Sequence, residues 1–236
     1  MKRIRLIGLT LIAVLALGAL AASSASAEGP EISPAGTKEA PIKFEGINNG
    51  NTVLESTLGT KVTCKVAKAK GEFSSANLGL VLIDFEGCES GGAKCNSPKD
   101  NAGVILVLLN MHLVDVLPTG TLDLGVWLEP KEELPGTGDL HFTCGAILTS
   151  VILGSVIGVA DNLAGELLTN GAKGKEFKVL WKGAKGEQEI KTCDLEKAFC
   201  EGKKFELLSD FGFGHELGAE IADATLKFEK EVEFKF

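Results

Sequence analysis

Apolar positions along this chain recur mainly at every second residue, the period of a strand with one dry and one wet face. At the C-terminus Leu226, Phe228, Val232, Phe234 and Phe236 share one parity, interrupted by Lys230. Lys227, Glu229, Glu231, Glu233 and Lys235 occupy the other. Leu122, Leu124, Val126 and Leu128 alternate with Thr121, Asp123, Gly125 and Trp127, and Phe177, Val179 and Trp181 alternate with mostly polar neighbours. Trp127 falls on the polar parity, which predicts an exposed indole and makes it the best single candidate for a ligand contact. Three runs are continuously apolar: Leu78 to Phe85, Val104 to Leu109, and Ile147 to Ala160 with Gly154 and Gly158 inside it. Short length and glycine punctuation favour strands buried on both faces over helices, because Gly weakens a helix interior by about 1 kcal/mol relative to Ala. Turn signals at Asn49-Gly50, Pro118-Thr119-Gly120, Pro135-Gly136 and Asn170-Gly171 separate these segments. The pattern predicts an all-β fold, an antiparallel sandwich or barrel of about ten strands with little helix. It leaves room for one short helix between Cys193 and Cys200.

The N-terminus follows a different rule. Lys2, Arg3 and Arg5 precede an uncharged apolar run from Leu6 to Leu20, and Ala25-Ser26-Ala27 forms a small-x-small cleavage site. That order defines a secretory signal peptide over residues 1–27, cut between Ala27 and Glu28. The run is short for a bilayer span, which takes about 20 apolar residues. The mature chain is therefore expected outside the cell, without a transmembrane anchor. Residues 28–41 hold Pro30, Pro34 and Pro41 and read as a flexible lead-in. Residues 42–236 read as a single β domain, because no later stretch is long or polar enough to be a linker.

Export changes the charge and the meaning of the cysteines. Loss of the three basic residues of the leader lowers Lys+Arg from 24 to 21 against 32 Asp+Glu, so the formal charge moves from −8 to −11. An acidic surface repels phosphate backbones, which argues against nucleic acid as a partner. The Lys-rich stretch from Lys173 to Lys191 is interleaved with Glu176, Glu187 and Glu189 and reads as a solvated face. Cys64, Cys88, Cys95, Cys144, Cys193 and Cys200 form an even set, which in an exported chain reads as three disulfides. Sequence alone does not choose among the 15 connectivities that six cysteines allow. Two local loops look natural, Cys88 with Cys95 around ESGGAK and Cys193 with Cys200 around DLEKAF, which leaves Cys64 with Cys144. No paired-cysteine or Cys/His zinc spacing occurs, and no metal or cofactor is expected.

The motifs that carry chemistry are incomplete. LPGTG at Leu134–Gly138 matches a sortase signal but lacks a following membrane span and basic tail, so it reads as a Pro-Gly turn. His215-Glu216 opens like a zinc-protease helix motif, but Ala219 stands where the second histidine belongs. FGFGHELG is not a phosphate loop, and neither a nucleophile elbow nor a calcium loop is present. Only His112, His141 and His215 could serve as histidine bases, and no catalytic residue is assigned. A C-terminal Phe on an alternating strand resembles the assembly signal of outer-membrane barrels. The chain has no Tyr and only two Trp, too few for aromatic girdles, and Lys230 would face lipid.

Short motifs in a common order carry one resemblance: Val62-Thr63-Cys64, Phe85-Glu86-Gly87-Cys88, Lys94-Cys95-Asn96-Ser97, Phe142-Thr143-Cys144-Gly145 and Gly154-Ser155-Val156-Ile157-Gly158. On these the chain resembles a group of secreted, uncharacterised proteins of soil actinobacteria. The resemblance implies a β-rich, disulfide-bearing exported domain and counts against an outer-membrane barrel. It supplies no activity and no catalytic residues. The leading expectation is a non-catalytic β domain with a binding or structural role toward a cell-surface or extracellular ligand. The alternatives are a barrel-type carrier of an apolar small molecule and a hydrolase whose site assembles in space.

Overall fold

The structure is a computed structural model that describes residues 29–117, 123–131, 139–145, 148–191, 193 and 205–236. The expected signal peptide, the LPGTG string and the stretch between Cys193 and Cys200 lie outside the described residues. The described chain is all strand and turn: β1 (Glu31–Ser33), β2 (Ile42–Asn48), β3 (Thr52–Ser56), β4 (Lys61–Cys64), β5 (Val66–Phe73), β6 (Leu78–Glu86), β7 (Glu89–Ser90), β8 (Ala93–Asn96) and β9 (Val104–Val116). There follow β10 (Asp123–Pro130), β11 (Asp139–Cys144), β12 (Leu148–Gly154), β13 (Val156–Asp161), β14 (Ala172–Trp181), β15 (Gly183–Ala184), β16 (Glu187–Gln188), β17 (Leu207–Asp210) and β18 (His215–Lys235). The all-β expectation holds, with more strands than the ten expected.

Eight strands close an antiparallel barrel in the order β14, β13, β10, β9, β6, β5, β2 and β18, with β18 returning to β14. On β2 and β5 the apolar parity faces inward and the charged parity outward, whereas the outward parity of β6 and β9 carries leucine, with Leu78, Leu82 and Leu106 exposed. On β2, Ile42 and Phe44 are buried while Lys43 and Glu45 are exposed, and β5 exposes Lys68 and Lys70. The barrel interior is thus apolar, where that of a membrane barrel is polar. Lys230, which interrupts the C-terminal alternation, does not face inward. The register between β14 and β18 shifts from Gly174↔Val232 to Glu176↔Lys227, and this bulge exposes Glu229, Lys230 and Glu231 together. On the wet side Lys227 meets Glu176 at 2.9 Å and Lys173 meets Glu233 at 3.5 Å. The Lys-rich stretch is thus a solvated face, with Lys173, Glu176 and Lys191 in ion pairs.

The 21-residue β18 serves two sheets. Its C-terminal part belongs to the barrel. Its first residues pair with β17 on one side and β3 on the other. From there a second circuit runs through β17, β12, β11, β8, β7, β4 and β3 back to β18. Two joints of this ring are thin: β4 meets β7 at one residue pair, Thr63↔Glu89, and β8 meets β11 at two. The long apolar run 147–160 supplies both sheets, β12 to the ring and β13 to the barrel. Gly154 makes the break, with φ 87°, and a Cβ there would sit 1.9 Å from the Glu206 carbonyl oxygen.

The disulfides correct the pairing favoured by loop length. Cys64 bonds Cys88, and Cys95 bonds Cys144. Cys193 is also disulfide-bonded, and its expected partner Cys200 lies outside the described residues. The local Cys88–Cys95 loop does not form a bridge, although Cys95 N donates to Cys88 O at 3.0 Å. In its place each cysteine of the β7–β8 hairpin reaches outward to a flanking strand. The two bridges fall at the thin joints of the ring, where backbone pairing is sparsest.

One end of the barrel is filled by phenylalanine. Phe228 sits among Phe44 (5.5 Å between ring centroids), Phe73 (6.4 Å), Phe177 (6.1 Å) and Phe234 (6.1 Å). Gly71 makes room for this cluster, since a Cβ there would lie 2.1 Å from Phe44 Cζ. Within the Pro-containing lead-in, β1 pairs with the end of β18 and buries Ile32 there.

Trp127, expected to be exposed, is 2% exposed. A second layer covers the outer wall of β9, β10 and β13. Ile190, Cys193 and Phe205 pack there against Val114, Val116, Trp127, Ile157 and Val159. Alternation assigns Trp127 correctly to the outside of the barrel; the added layer is what buries it.

Candidate functional site

The barrel is hollow next to its phenylalanine cluster, and Phe44 of that cluster forms part of the wall. An apolar cavity of about 200 Å³ lies where its interior meets the second ring. Val81, Ile83, Val107, Met111 and Trp181 line it from the barrel, and Leu54, Val62, Leu140, Phe142 and Leu207 line it from the ring. The hollow has a sequence cause. Gly46, Ala67, Ala69, Ala222 and Ala224 occupy inward positions on β2, β5 and β18 along its wall. Small side chains face space that the aromatic cluster fills farther along the same strands. Ile47, Leu106 and His141 also line the cavity, and each is exposed, which places them at its rim.

Glu220 is the acidic side chain in this lining. It lies on the inward parity of β18 with Ala222, Ala224 and Leu226, directly opposite Leu54 of β3. It is half-buried and forms part of the cavity wall. Burial alone pushes its pKa from 4.5 up to about 8, with no neighbouring charge contributing. At neutral pH the group is a carboxylic acid, able to donate one hydrogen bond.

Two further lining residues carry unsatisfied polar atoms. Thr52 Oγ1 and Trp181 Nε1 are buried with no hydrogen-bond partner among the described residues. Asn48, by contrast, is fully engaged: its Oδ1 accepts from Ala67 N at 2.8 Å, and its Nδ2 donates to the Gly50 carbonyl. Buried polar groups are normally paired; outside the cavity, Ser150 Oγ and Ser209 Oγ of the ring are likewise without a partner among the described residues.

The histidines occupy three separate elements. His112, on the outer wall of β9, stacks on Trp127 and has Nε2 3.2 Å from Glu129 Oε1. His141 lies on β11 at the cavity rim. His215 begins β18 and is exposed. The His215-Glu216 pair therefore lies on a strand, where the helical spacing of a zinc site does not apply. Glu216 instead holds a turn, accepting from Leu58 N at 2.7 Å and Thr57 Oγ1 at 3.2 Å. Among the described residues no three His, Cys, Asp or Glu side chains gather as a metal set. No described helix is long and apolar enough to cross a membrane.

Sequence reading missed Glu220, and a signal for it exists. Extended backward from Leu226, the C-terminal alternation passes through Ala224, Ala222, Glu220 and Gly218. A lone acid on the dry parity, among residues too small to fill a core, marks both the hollow and the polar group in it. Comparisons of the chain with protein-family models, with curated proteins and with solved structures find no match.

Proposed function

We propose that this protein is an exported carrier of a small apolar molecule, held where the barrel meets the second ring. The cavity supports this reading over a purely structural β domain. Side chains large enough to close the hollow would be more stable than an empty one, at roughly 24 cal/mol per Å³ of residual cavity, yet Ala and Gly stand there. An apolar cavity of about 150 Å³ already holds benzene, whereas drug-sized ligands occupy about 300–1,000 Å³. A cavity of about 200 Å³ thus suits a single ring or a short chain. Export is supported by the leader sequence, by the disulfides, which persist in oxidising compartments, and by the resemblance to secreted actinobacterial proteins.

The test is calorimetric titration of the mature chain with ethylbenzene. Saturable binding is expected, together with a rise in melting temperature by mass action. Ala224→Phe places a ring in the hollow and abolishes binding while far-UV circular dichroism is unchanged. A native chain that binds no small apolar molecule, with a melting temperature indifferent to ligand, overturns the proposal.

A further inference from the structure

The arrangement of polar groups around the cavity limits what the ligand is. Ala222 is the reference point. It pairs with Trp181 across the β14–β18 ladder. On its other flank the β3 register, Val53↔Ile221, brings Thr52 alongside one step later. Glu220 precedes Ala222 on the same face, about 7 Å along the strand. The unsatisfied Thr52 and Trp181 therefore flank an alanine floor with Glu220 at its edge. Their side chains would normally find partners within the protein.

Charge narrows the choice. No Lys or Arg lines the cavity, and His141 stands at its exposed rim, so an anionic group seated against Glu220 would have no fixed positive charge beside it. A cationic ligand would require Glu220 to ionise and would bury two charges, and the desolvation of both offsets their attraction. Burial holds the Glu220 proton in place at neutral pH. A neutral oxygen on the ligand can accept that proton in a hydrogen bond and also meet the Thr52 hydroxyl, with no charge buried.

We infer that the carried molecule is a small, uncharged, mainly hydrocarbon compound with one hydrogen-bonding oxygen, an alcohol or ketone, seated against Glu220 and Thr52. This rests on the carrier reading and deepens it.

Three probes of equal heavy-atom count separate the two ideas: ethylbenzene, benzyl alcohol and benzylamine, titrated at neutral pH into the native chain and into Glu220→Leu and Glu220→Gln. Glu220→Leu is expected to weaken benzyl alcohol about tenfold, the factor carried by about 1.4 kcal/mol, and to leave ethylbenzene within about twofold. Glu220→Gln, which keeps a donor, retains most of the alcohol affinity. Ethylbenzene binding to Glu220→Leu shows in the same experiment that the variant is folded. If ethylbenzene binds and Glu220→Leu shifts both neutral probes alike, the oxygen preference is wrong and the carrier reading stands. If benzylamine suffers the selective loss, the ligand is a cation and the inference fails. If no probe binds the native chain, both readings fall together.

Discussion

Cys95 lies directly opposite Cys144 in the β8–β11 pair, and the two are disulfide-bonded. Only one other residue pair joins these strands, Thr143↔Asn96. The bridge thus replaces backbone hydrogen bonds that a two-residue contact cannot supply. Cys64–Cys88 does the same where β4 meets β7. Non-reducing peptide mapping is expected to yield the linked pairs Cys64–Cys88 and Cys95–Cys144. Replacing Cys95 and Cys144 together by Ser should lower stability by about 4 kcal/mol on the loop-entropy account, for a separation of 49 residues. A peptide linking Cys88 to Cys95 would overturn the assignment.

Glu220 makes stability depend on pH in a defined direction. Its folded pKa, about 8, lies above the ordinary carboxylate value of 4.5. The folded state therefore holds this proton more tightly than the unfolded chain. The resulting stabilisation is complete below about pH 4.5 and is lost as pH rises through about 8. Urea midpoints measured from about pH 5 to about pH 9 should fall, corresponding to a loss of unfolding free energy on the order of a few kcal/mol, discounted for the surface that Glu220 retains. Glu220→Gln removes this component. A native midpoint that rises over the same interval, or one that Glu220→Gln leaves unaltered, contradicts the burial of the carboxyl.

Asp123 and Asp161 lie at the far ends of β10 and β13 and are 3% and 5% exposed. Burial raises the pKa of Asp123 first, and Asp161 raises it further. Asp161 is raised mainly by burial, against the lowering effect of Lys182. Each has one buried oxygen without a partner among the described residues. Asp123→Asn is expected to stabilise the protein at neutral pH by about 1 kcal/mol, with the gain shrinking as acid protonates the native Asp123. Thermal melts at two pH values read this directly, and a destabilised Asn variant at neutral pH would refute it.

Gly71 and Phe44 give a steric prediction. A methyl group at Gly71 would enter the Phe44 ring and displace the aromatic cluster around Phe228. Gly71→Ala should cost about 1–3 kcal/mol, the range for overpacked cores, seen as a lowered denaturant midpoint. Pairing it with Phe44→Leu should recover part of the loss. Additive losses in the double variant would show that the two positions do not touch.

Much of the scaffold was legible in the residues. Period two identified β14 and the C-terminal half of β18, because one wet and one dry face leave that trace wherever a sheet has a single buried side. The apolar runs at 78–85, 104–109 and 147–160 were readable as strands, with Gly154 marking where one ends, but of these only β13 is buried on both faces, since Leu78, Leu82 and Leu106 are exposed on the outer wall. The candidate site was far less legible. Glu220 stands in a stretch of Gly, Ala, Ile and Asp whose periodicity is weak, because small residues carry little hydrophobic contrast.

The sequence by itself determined the class of secondary structure, the parity of most inward side chains and the participation of the described cysteines in disulfides. These follow from local sterics, from the strand repeat and from even cysteine count. Only the tertiary structure decided which cysteines meet, that Trp127 is buried, that Lys230 is turned outward by a bulge, and that β18 belongs to two sheets. Each of these depends on contacts between residues far apart in the chain. Loop length favoured Cys88 with Cys95, but the ring places Cys64 and Cys144 nearer their side chains. Alternation put Trp127 outside the barrel, but a later segment folds over it. The cavity belongs to the same category, since a hollow is set by which small residues from distant strands converge on one place.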